Sequence, residues 1–280
     1  HMEINYGVAD SHVHLWDIDK VMVPWVKNSP HAPLLGPKEY TKACGKVKVD
    51  KIVFMECAAP MEDTLREVAL ISEMAKEDPR ICAIIARAPL AEGKEAARVL
   101  DELVRFPLVK GIRTFSRDPE NPKFIEGLKL LPQYNLSFAI GGHYTINKQT
   151  IHMLEMVGDL NQYVFDHMGK PPVQFPELFY EWAREMEILA QCKNLSCKLS
   201  SLATEAKDAS WDNALIKPYV DTCIKAFGPD RLMYGSDFPV STVNSNIERQ
   251  WDTLMEFTKD FTEEEMYKLL RGNTERIYNI

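Results

Sequence analysis

Eight short apolar segments recur along the chain, and longer amphipathic segments separate them. Apolar runs of strand length that are bounded by turn residues are typical of parallel strands buried on both faces. Strands that alternate with helices indicate β/α units, and eight such units close a barrel. We therefore predict an α/β fold, a single-domain (β/α)8 TIM barrel. The predicted strands are Val8–Leu15, Lys51–Cys57, Ile81–Arg87, Leu108–Thr114, Leu136–Ile140, Tyr163–His167, Leu195–Leu199 and Arg231–Ser236.

The segments between the strands carry apolar residues near a 3.6-residue period, which is typical of helices that cover a core. Thr262 and Glu265 have the spacing of a capping box, so a last helix is predicted to begin there and to end at Gly272. The other predicted helices are Met61–Glu77, Glu92–Val104, Pro122–Leu131, Asn147–Val157, Pro176–Gln191, Trp211–Phe227 and Asn246–Thr258.

The segment Trp16–Val49 is long and rich in proline, so it cannot form one helix. We predict an extended loop after strand 1 that lies over the C-terminal mouth of the barrel. An open doubly wound sheet is the competing fold, but the glycine-rich turn that would follow its first strand is absent from the sequence. His1 and Met2 have the look of a cloning scar, which leaves 3–280 as the predicted domain.

Composition limits the classes of partner. The net charge is −8, and the 33 basic residues form no stripe, which argues against nucleic acid. No apolar run approaches the ~18 residues of a membrane span, and no signal-peptide pattern is recognised. Six scattered cysteines without a C-x-x-C pair are typical of reduced thiols, so we predict a cytoplasmic protein. We expect a small-molecule partner, and the sequence leaves a homo-oligomer open.

The first strand carries Asp10, His12 and His14 at alternate positions, which places them on one face of a strand. We predict that this face points into the barrel. Two imidazoles at this spacing are a natural pair of nitrogen ligands for a divalent metal. The alternative is a surface strand with incidental histidines.

Two further strand ends carry groups suited to catalysis. His167 follows the sixth strand just before Gly169 and Pro171, and Asp237 follows the eighth. Site residues of barrel enzymes lie at such ends. A carboxylate there can accept a proton from water or bind a metal. The alternative for each residue taken alone is a cap for the following loop or helix.

For four more polar residues, the sequence does not decide between a structural role and a role in the site. Arg113 suits capture of a carboxylate or an oxyanion, or a structural pair with an inner Asp. Glu56 fits a buried ion pair as well as the site, and Lys198 fits an ion pair within the barrel as well as catalysis. His143 follows the fifth strand after two glycines, which leave its direction uncertain.

The motifs, taken together, resemble the amidohydrolase superfamily, in particular its amidohydrolase-2 lactonase branch. The resemblance spans nearly the whole chain and implies a barrel that hydrolyses lactones, including sugar-acid lactones and 2-pyrone-4,6-dicarboxylate. The segments that carry it are DSHVHLWD at 10–17, KGIR at 110–113, FDHMGKP at 165–171, CKLSS at 197–201, YGSDFPV at 234–240 and GNTERIY at 272–278.

The resemblance also implies roles for individual residues. Asp237 would be the general base, with His167 and His14 beside it as catalytic groups. One divalent ion, most simply zinc, would bind to His12, His14 and Asp237, and a metal-independent enzyme remains the alternative. The carboxylated lysine of two-metal relatives has no counterpart at 111–113, which argues against a two-metal centre. The candidate substrate-binding residues are Arg113, His143, Trp16, Trp25, Lys170 and Glu56.

Three functions follow from these residues. The first is a lactonase that opens the ester of a small lactone, most simply a sugar-acid lactone. The second is a metal-dependent non-oxidative decarboxylase or hydratase of the same superfamily. The third is a non-catalytic barrel that binds a small acid, which would be expected to lack one or more of the site groups, whereas Asp10, His12, His14, His167 and Asp237 are all present.

Overall fold

A computed structural model describes residues 3–158 and 161–280. The proposed cloning scar, His1 and Met2, lies outside the described residues. Eight parallel strands form one sheet in chain order. A bridge between Val13 and Phe238 joins the first strand to the chain after the eighth, so the sheet is nearly closed into the predicted barrel. The strands are β1 (Val8–Val13), β2 (Val49–Met55), β3 (Ile81–Ala86), β4 (Val109–Arg113), β5 (Ser137–Ile140), β6 (Tyr163–Phe165), β7 (Leu195–Leu199) and β8 (Leu232–Tyr234).

The barrel interior is a packed core separate from the layer outside the sheet. Strand side chains that point inward form a cluster with Tyr278, which comes from the C-terminal helix. Strand side chains that point outward pack against the surrounding helices in a second, larger core. Burial on both faces explains why the strands read as continuous apolar runs. The inward cluster consists of Val53, Met55, Ala83, Ile85, Ala139, Val164, Met233 and Tyr278.

The predicted helices are present with shifted ends. Several begin with a 3-10 turn, as at Met61–Asp63 and Pro176–Leu178, before the α-helix proper. The α-helices are α1 (Pro37–Cys44), α2 (Thr64–Glu77), α3 (Ala97–Leu103), α4 (Pro122–Leu128), α5 (Asn147–Val157), α6 (Phe179–Ala190), α7 (Asn213–Phe227), α8 (Ile247–Phe257), α9 (Glu263–Tyr267) and α10 (Asn273–Tyr278).

The prediction that Gly272 ends the last helix is wrong. The capping box at Thr262 and Glu265 starts α9 as predicted. Gly272 itself keeps helical dihedral angles, and a π-helical turn, Lys268–Gly272, carries the chain on into α10. Asn273 donates hydrogen bonds from its side-chain amide to two carbonyl oxygens near β8, so tertiary contacts override the usual stop signal of glycine.

The segment after β1 is more ordered than the predicted extended loop. It contains α1 and a small antiparallel pairing of Trp16–Asp17 with Leu34–Leu35. Its 3-10 turn, Pro24–Val26, brings Trp25 over the C-terminal mouth of the barrel. The predicted location is therefore confirmed for this part, whereas α1 packs beside the barrel.

The predicted common direction of Asp10, His12 and His14 is wrong for Asp10. The register of β1 against β2 shifts between Asp10 and Val13. The Asp10 carboxylate accepts hydrogen bonds from the Tyr40 hydroxyl on α1 at 2.7 Å and from the Ser236 amide at 2.8 Å. A register irregularity breaks the two-residue period on which the prediction depended. Asp10 therefore holds α1 and the end of β8 in place.

Cys44, Cys57, Cys82, Cys197 and Cys223 are free thiols. Within residues 3–158 and 161–280, none of the helices combines the length and the apolar character needed to cross a membrane.

Glu67 on α2 generates a prediction about pH and stability. Burial raises the pKa of this carboxyl group to about 8, and the nearby charge of Glu56 adds to the effect. The folded protein therefore keeps Glu67 protonated under conditions in which the unfolded chain ionises it, so stability falls as pH rises from about 4.5 to about 8. Replacing Glu67 by Gln removes this loss, which amounts to about 1.4 kcal/mol per unit of pKa difference.

We expect Glu67→Gln to unfold at nearly the same temperature as the parent at about pH 5 and several degrees above it at about pH 9. Thermal unfolding of both proteins at each pH measures the difference. Glu73→Gln, on the exposed side of α2, is the control and should show no such divergence. A Glu67→Gln advantage that is independent of pH would contradict the buried, neutral carboxyl group.

Candidate active site

The carboxyl ends of the barrel strands surround a cavity of about 380 Å³. Ligand sites of barrel enzymes lie at this end, and the size suits a small molecule. The cavity is lined by His14, Trp25, Glu56, Cys57, Ala58, Arg113, Phe115, His167, Lys170, Ser201, Thr204, Glu205, Asp237 and Val240.

Asp237 lies at the base of this cavity, in contact with three imidazoles. Its Oδ1 lies 3.3 Å from Nε2 of His12 and 3.4 Å from Nε2 of His14. Its Oδ2 lies 3.4 Å from Nε2 of His167. The first, sixth and eighth strands therefore bring together the groups that were predicted to meet. His14 and His167 line the cavity with Asp237, whereas His12 is fully buried beneath them.

The electrostatics of the cluster favour an ionised carboxylate beside neutral imidazoles. Burial by itself raises the pKa of Asp237, but its contacts with His167, His14 and Ser201 outweigh burial and lower it. Burial lowers the pKa of His167 to about 4, against the opposing charge of Asp237. Burial also lowers the pKa of His12 well below its ordinary value. Near neutral pH these two imidazoles can therefore accept a proton or donate an electron pair.

The orientation of His14 gives it an acceptor beside Asp237. Nδ1 of His14 lies 3.1 Å from the carbonyl oxygen of Met55, and because a carbonyl only accepts, Nδ1 carries the hydrogen. In a neutral ring, Nε2 then has a lone pair, which faces Asp237 Oδ1 at 3.4 Å. Because the Nε2 lone pair of His14 and Oδ1 of Asp237 are both acceptors, they need a hydrogen-bond donor shared between them. A water molecule can donate one hydrogen to each.

Hydroxyl groups after β7 hold the cluster from the other side. Ser200 Oγ lies 2.7 Å from Nδ1 of His167. Ser201 donates a hydrogen bond to Oδ2 of Asp237 and accepts one from Thr204 at 2.8 Å. Neither serine was among the predicted site residues, although both belong to the CKLSS segment that carries the family resemblance. The signal available was the position of the serines at a strand end.

A chain of buried charges borders the cavity through Glu56 and Arg113. Arg113 donates from Nε to Glu56 Oε1 and from Nη1 to Asp166 Oδ2, both at 3.0 Å. Its Nη2 donates to the carbonyl oxygen of Glu56. Lys198 Nζ lies 3.4 Å from the other oxygen of Asp166 and 3.1 Å from Nδ1 of His12. The structural pairings left open for Arg113, Glu56 and Lys198 are thus all present.

This arrangement keeps opposite charges together out of water. Burial lowers the pKa of the Arg113 guanidinium, but the charges of Glu56 and Asp166 outweigh burial and raise it. Burial likewise raises the pKa of Asp166, and the charges of Lys198 and Arg113 reverse that effect. Buried charges of this kind are stable only when each has its partner.

The backbone around the cavity is strained. Ala58, Ser201 and Asp237 each have a φ of 50–54°, in the left-handed region. The turn 166–170 after β6 has positive φ at four successive residues, from His167 to Lys170, and only one of them is glycine. Left-handed conformations cost an ordinary residue roughly 1–2 kcal/mol. Strain of this kind is concentrated where side chains must be aimed at a site.

The other predicted substrate contacts are only partly at the cavity. Trp25 is half exposed, lines the cavity and donates from Nε1 to the Cys57 carbonyl at 2.7 Å. Trp16 is buried and packs edge-on against the Trp25 ring. His143 does not line the cavity, but its Nε2 lies 3.7 Å from Glu205, which does. Lys170 lines the cavity as predicted, with no ion pair or hydrogen bond from its ammonium group to the described residues.

The donor set fits a divalent ion. Ligand atoms of His12, His167 and Asp237 lie within 4.8 Å of one another, so two of the three predicted ligands form a possible site together with His167. Nε2 of His12 and Oδ1 of Asp237 are buried without a hydrogen-bond partner among the described residues. Two imidazoles and a carboxylate are suitable ligands for zinc.

A family comparison agrees with this geometry. The family model described as amidohydrolase matches residues 9–280. This chain belongs to the amidohydrolase family. The predicted membership of the superfamily and its amidohydrolase-2 branch is therefore confirmed, and so is the prediction that the protein is a hydrolase.

Individual proteins of known name or structure also resemble this chain over most of its length. The L-fucono-1,5-lactonase of Burkholderia ambifaria is 26% identical over 83% of this chain and 80% of its own length. A crystal structure of an amidohydrolase from Burkholderia multivorans with bound zinc has a TM-score of 0.86 at 23% identity, covering 98% of this chain and 100% of that one. A Pseudomonas putida structure, provisionally assigned as a 2-pyrone-4,6-dicarboxylic acid hydrolase, has a TM-score of 0.76 at 14% identity, covering 99% and 98%.

Arg113 generates a prediction about the stability of this amidohydrolase. Arg113→Leu leaves Glu56 and Asp166 buried without their cation, which should lower the free energy of unfolding by about 3–5 kcal/mol. Urea denaturation measures the change. The control is Arg98→Leu, which removes the exposed pair with Glu92 and should cost under about 1 kcal/mol. Equal losses in the two variants would contradict the importance of the buried charges.

Proposed function

We propose that this amidohydrolase is a lactonase that opens the ester of a sugar-acid lactone. The observation that carries the proposal is the ionised carboxylate of Asp237 at the base of the cavity, with the acceptor nitrogen of His14 3.4 Å from it. This pair can hold and deprotonate a water molecule. The name of the Burkholderia ambifaria relative, an L-fucono-1,5-lactonase, supports the substrate class.

The reaction needs one proton to move twice. Asp237 accepts a proton from the water as its oxygen attacks the carbonyl carbon of the lactone. The resulting tetrahedral species collapses, and the bond between that carbon and the ring oxygen breaks. Asp237 then returns the proton to the leaving alkoxide, and the product is an open hydroxy acid. The imidazoles of His14 and His167 each lie 3.4 Å from the carboxylate of Asp237 and flank it during both transfers.

The negative charge that develops on the carbonyl oxygen needs a donor in the cavity. Lys170 supplies a cation there whose ammonium group has no ion pair within the described chain. Its left-handed backbone, with a φ of 48°, fixes the turn from which the side chain extends. We assign Lys170 to the lactone carbonyl or to a hydroxyl next to it.

The charges in the cavity favour a neutral sugar lactone over a dicarboxylate. The lining has three carboxylates, Glu56, Glu205 and Asp237, against two cations, Arg113 and Lys170. Arg113 is already paired with Glu56 and Asp166, so it has little capacity to neutralise a further anion. The half-exposed rings of Trp25 and Phe115 offer apolar faces for the C–H side of a sugar ring.

His12, His167 and Asp237 would hold a divalent ion if one binds. Such an ion would polarise the carbonyl group and lower the pKa of bound water. The zinc in the Burkholderia multivorans structure makes zinc the first metal to test. Activity before and after removal of metal by a chelator decides whether the proposed lactonase depends on it.

A substrate panel tests the proposed reaction. Acid release at fixed pH is followed with neutral 1,5- and 1,4-lactones of sugar acids and with 2-pyrone-4,6-dicarboxylate. We expect kcat/KM to be at least about tenfold higher for the best sugar lactone, a difference of about 1.4 kcal/mol. If no lactone in the panel is hydrolysed, the proposal fails. A preference for the dicarboxylate would contradict the argument from cavity charge.

Replacement of Asp237 tests its role as the base. Asp237→Asn keeps the shape of the side chain, but the amide cannot accept the proton from water. We therefore expect kcat to fall by about 10²–10⁴-fold with little change in KM. The control is Asp260→Asn, a surface change far along the chain from the site. Circular dichroism confirms that both variants fold. Full activity in folded Asp237→Asn would exclude Asp237 as the base.

A further inference from the structure

Glu205 differs from the other two carboxylates of the cavity lining, because protein groups do not occupy its oxygens. Glu56 accepts hydrogen bonds from Nε of Arg113 at 3.0 Å and from the Ala58 amide at 2.6 Å. The carboxylate of Asp237 is in contact with three imidazoles. Both of these carboxylates are therefore already engaged within the protein.

The carboxylate of Glu205 is open to a ligand. Its Oε1 lies 3.7 Å from Nε2 of the exposed His143 ring, which is longer than a hydrogen bond. Within residues 3–158 and 161–280, this carboxylate accepts no hydrogen bond. The side chain lines the cavity, and a carboxylate is a strong acceptor for hydroxyl donors. Hydroxyl groups of a ligand can therefore donate to it.

The backbone that carries Glu205 is held in place on both sides. The buried side-chain amide of Asn244 donates to the carbonyl oxygen of Ala203 at 2.7 Å and to that of Ala206 at 3.3 Å. The carbonyl oxygen of Glu205 itself accepts a hydrogen bond from Gln174 at 3.0 Å. These contacts keep the turn after β7 at the cavity, so the residue is preorganised for recognition.

The exposure of the lining residues indicates which end of a lactone reaches Glu205. The Asp237 side chain is 4% exposed at the base of the cavity, whereas that of Glu205 is 26% exposed. The rings of Trp25 and Phe115 are half exposed. With the lactone carbonyl beside Asp237, the far side of the sugar ring therefore lies towards the mouth, on the side of Glu205. The cation Lys170 is assigned to the carbonyl end, so it does not neutralise Glu205.

We propose that Glu205 is a specificity-determining residue that selects neutral lactones of aldonic acids. Its carboxylate accepts hydrogen bonds from hydroxyl groups on the far side of the ring, and it disfavours lactones of sugar diacids, which carry a carboxylate there. Like charges brought into contact cost affinity, whereas hydroxyl groups supply the donors that the carboxylate lacks. The proposal rests on the lactonase function and narrows its substrate class.

Paired lactams test the proposal without turnover, because lactams share the ring shape of lactones but resist hydrolysis. The neutral probes are the 1,5-lactams of gluconic, galactonic and mannonic acid. Each is paired with the same ring carrying a carboxylate in place of the terminal CH2OH group. By calorimetry, we expect the parent protein to bind at least one neutral lactam about tenfold more tightly than its charged partner. If no neutral lactam binds in preference to its partner, the proposal is overturned.

Variants of Glu205 show whether this residue causes the preference. Glu205→Gln keeps the shape but removes the charge, so the preference for the neutral lactam should fall by about tenfold. Glu205→Ala also removes the acceptor, so it should bind the neutral lactam more weakly than Glu205→Gln does. An unchanged preference in either folded variant, checked by circular dichroism, would overturn the proposal. The matched control is Glu177→Gln, an exposed change outside the cavity lining, which should keep the preference of the parent.

Hydrolysis of the corresponding lactones, measured with the same proteins, separates this inference from the proposed function. A lactam preference that depends on Glu205, without hydrolysis of any lactone, would remove the proposed function alone. Lactone hydrolysis with a lactam preference that Glu205→Gln leaves unchanged would remove this inference alone.

Discussion

The ion pairs of Arg113 with Glu56 and Asp166 are the interaction on which the site depends. They join the ends of β2, β4 and β6, and Lys198 extends them to β7. These side chains are at most 7% exposed, so bulk water competes only weakly for their hydrogen bonds. A guanidinium group in such a place fixes the spacing of the strand ends through directional hydrogen bonds. The candidate catalytic cluster adjoins this layer.

Asp237 and its imidazoles adjoin these charges. His12 connects the two layers, because Nδ1 faces Lys198 and Nε2 faces Asp237. The left-handed turn after β6 and the left-handed residue Asp237 aim their side chains at a common point. Strained backbone of this kind persists only when the surrounding contacts determine it fully. The buried ion pairs and the serines after β7 provide such contacts.

Much of the architecture could be predicted from the order of residues. Parallel strands buried on both faces produce apolar runs in the sequence. Eight such runs that alternate with helices are compatible with few folds other than the barrel. His12, His14, His167 and Asp237 were recognised because barrel enzymes carry functional groups at strand ends. Their meeting around one cavity follows from the closed sheet.

The parts that sequence reasoning missed depend on contacts between distant residues. A register irregularity turns Asp10 away from His12 and His14, and no local sequence pattern predicts that irregularity. Gly272 continues a helix because Asn273 and its buried neighbours hold it there. Ser200 and Ser201 are common residue types, so only their positions beside His167 and Asp237 reveal their importance.

The central claim is that Asp237 activates water and does not itself attack the lactone. A single turnover in ¹⁸O-labelled water, with enzyme in excess, tests this most directly. The account predicts that the label enters the carboxyl group of the product acid in that first turnover, and that the peptide containing Asp237 stays unlabelled. Unlabelled product together with ¹⁸O in Asp237 would show a covalent acyl-enzyme and would contradict the account.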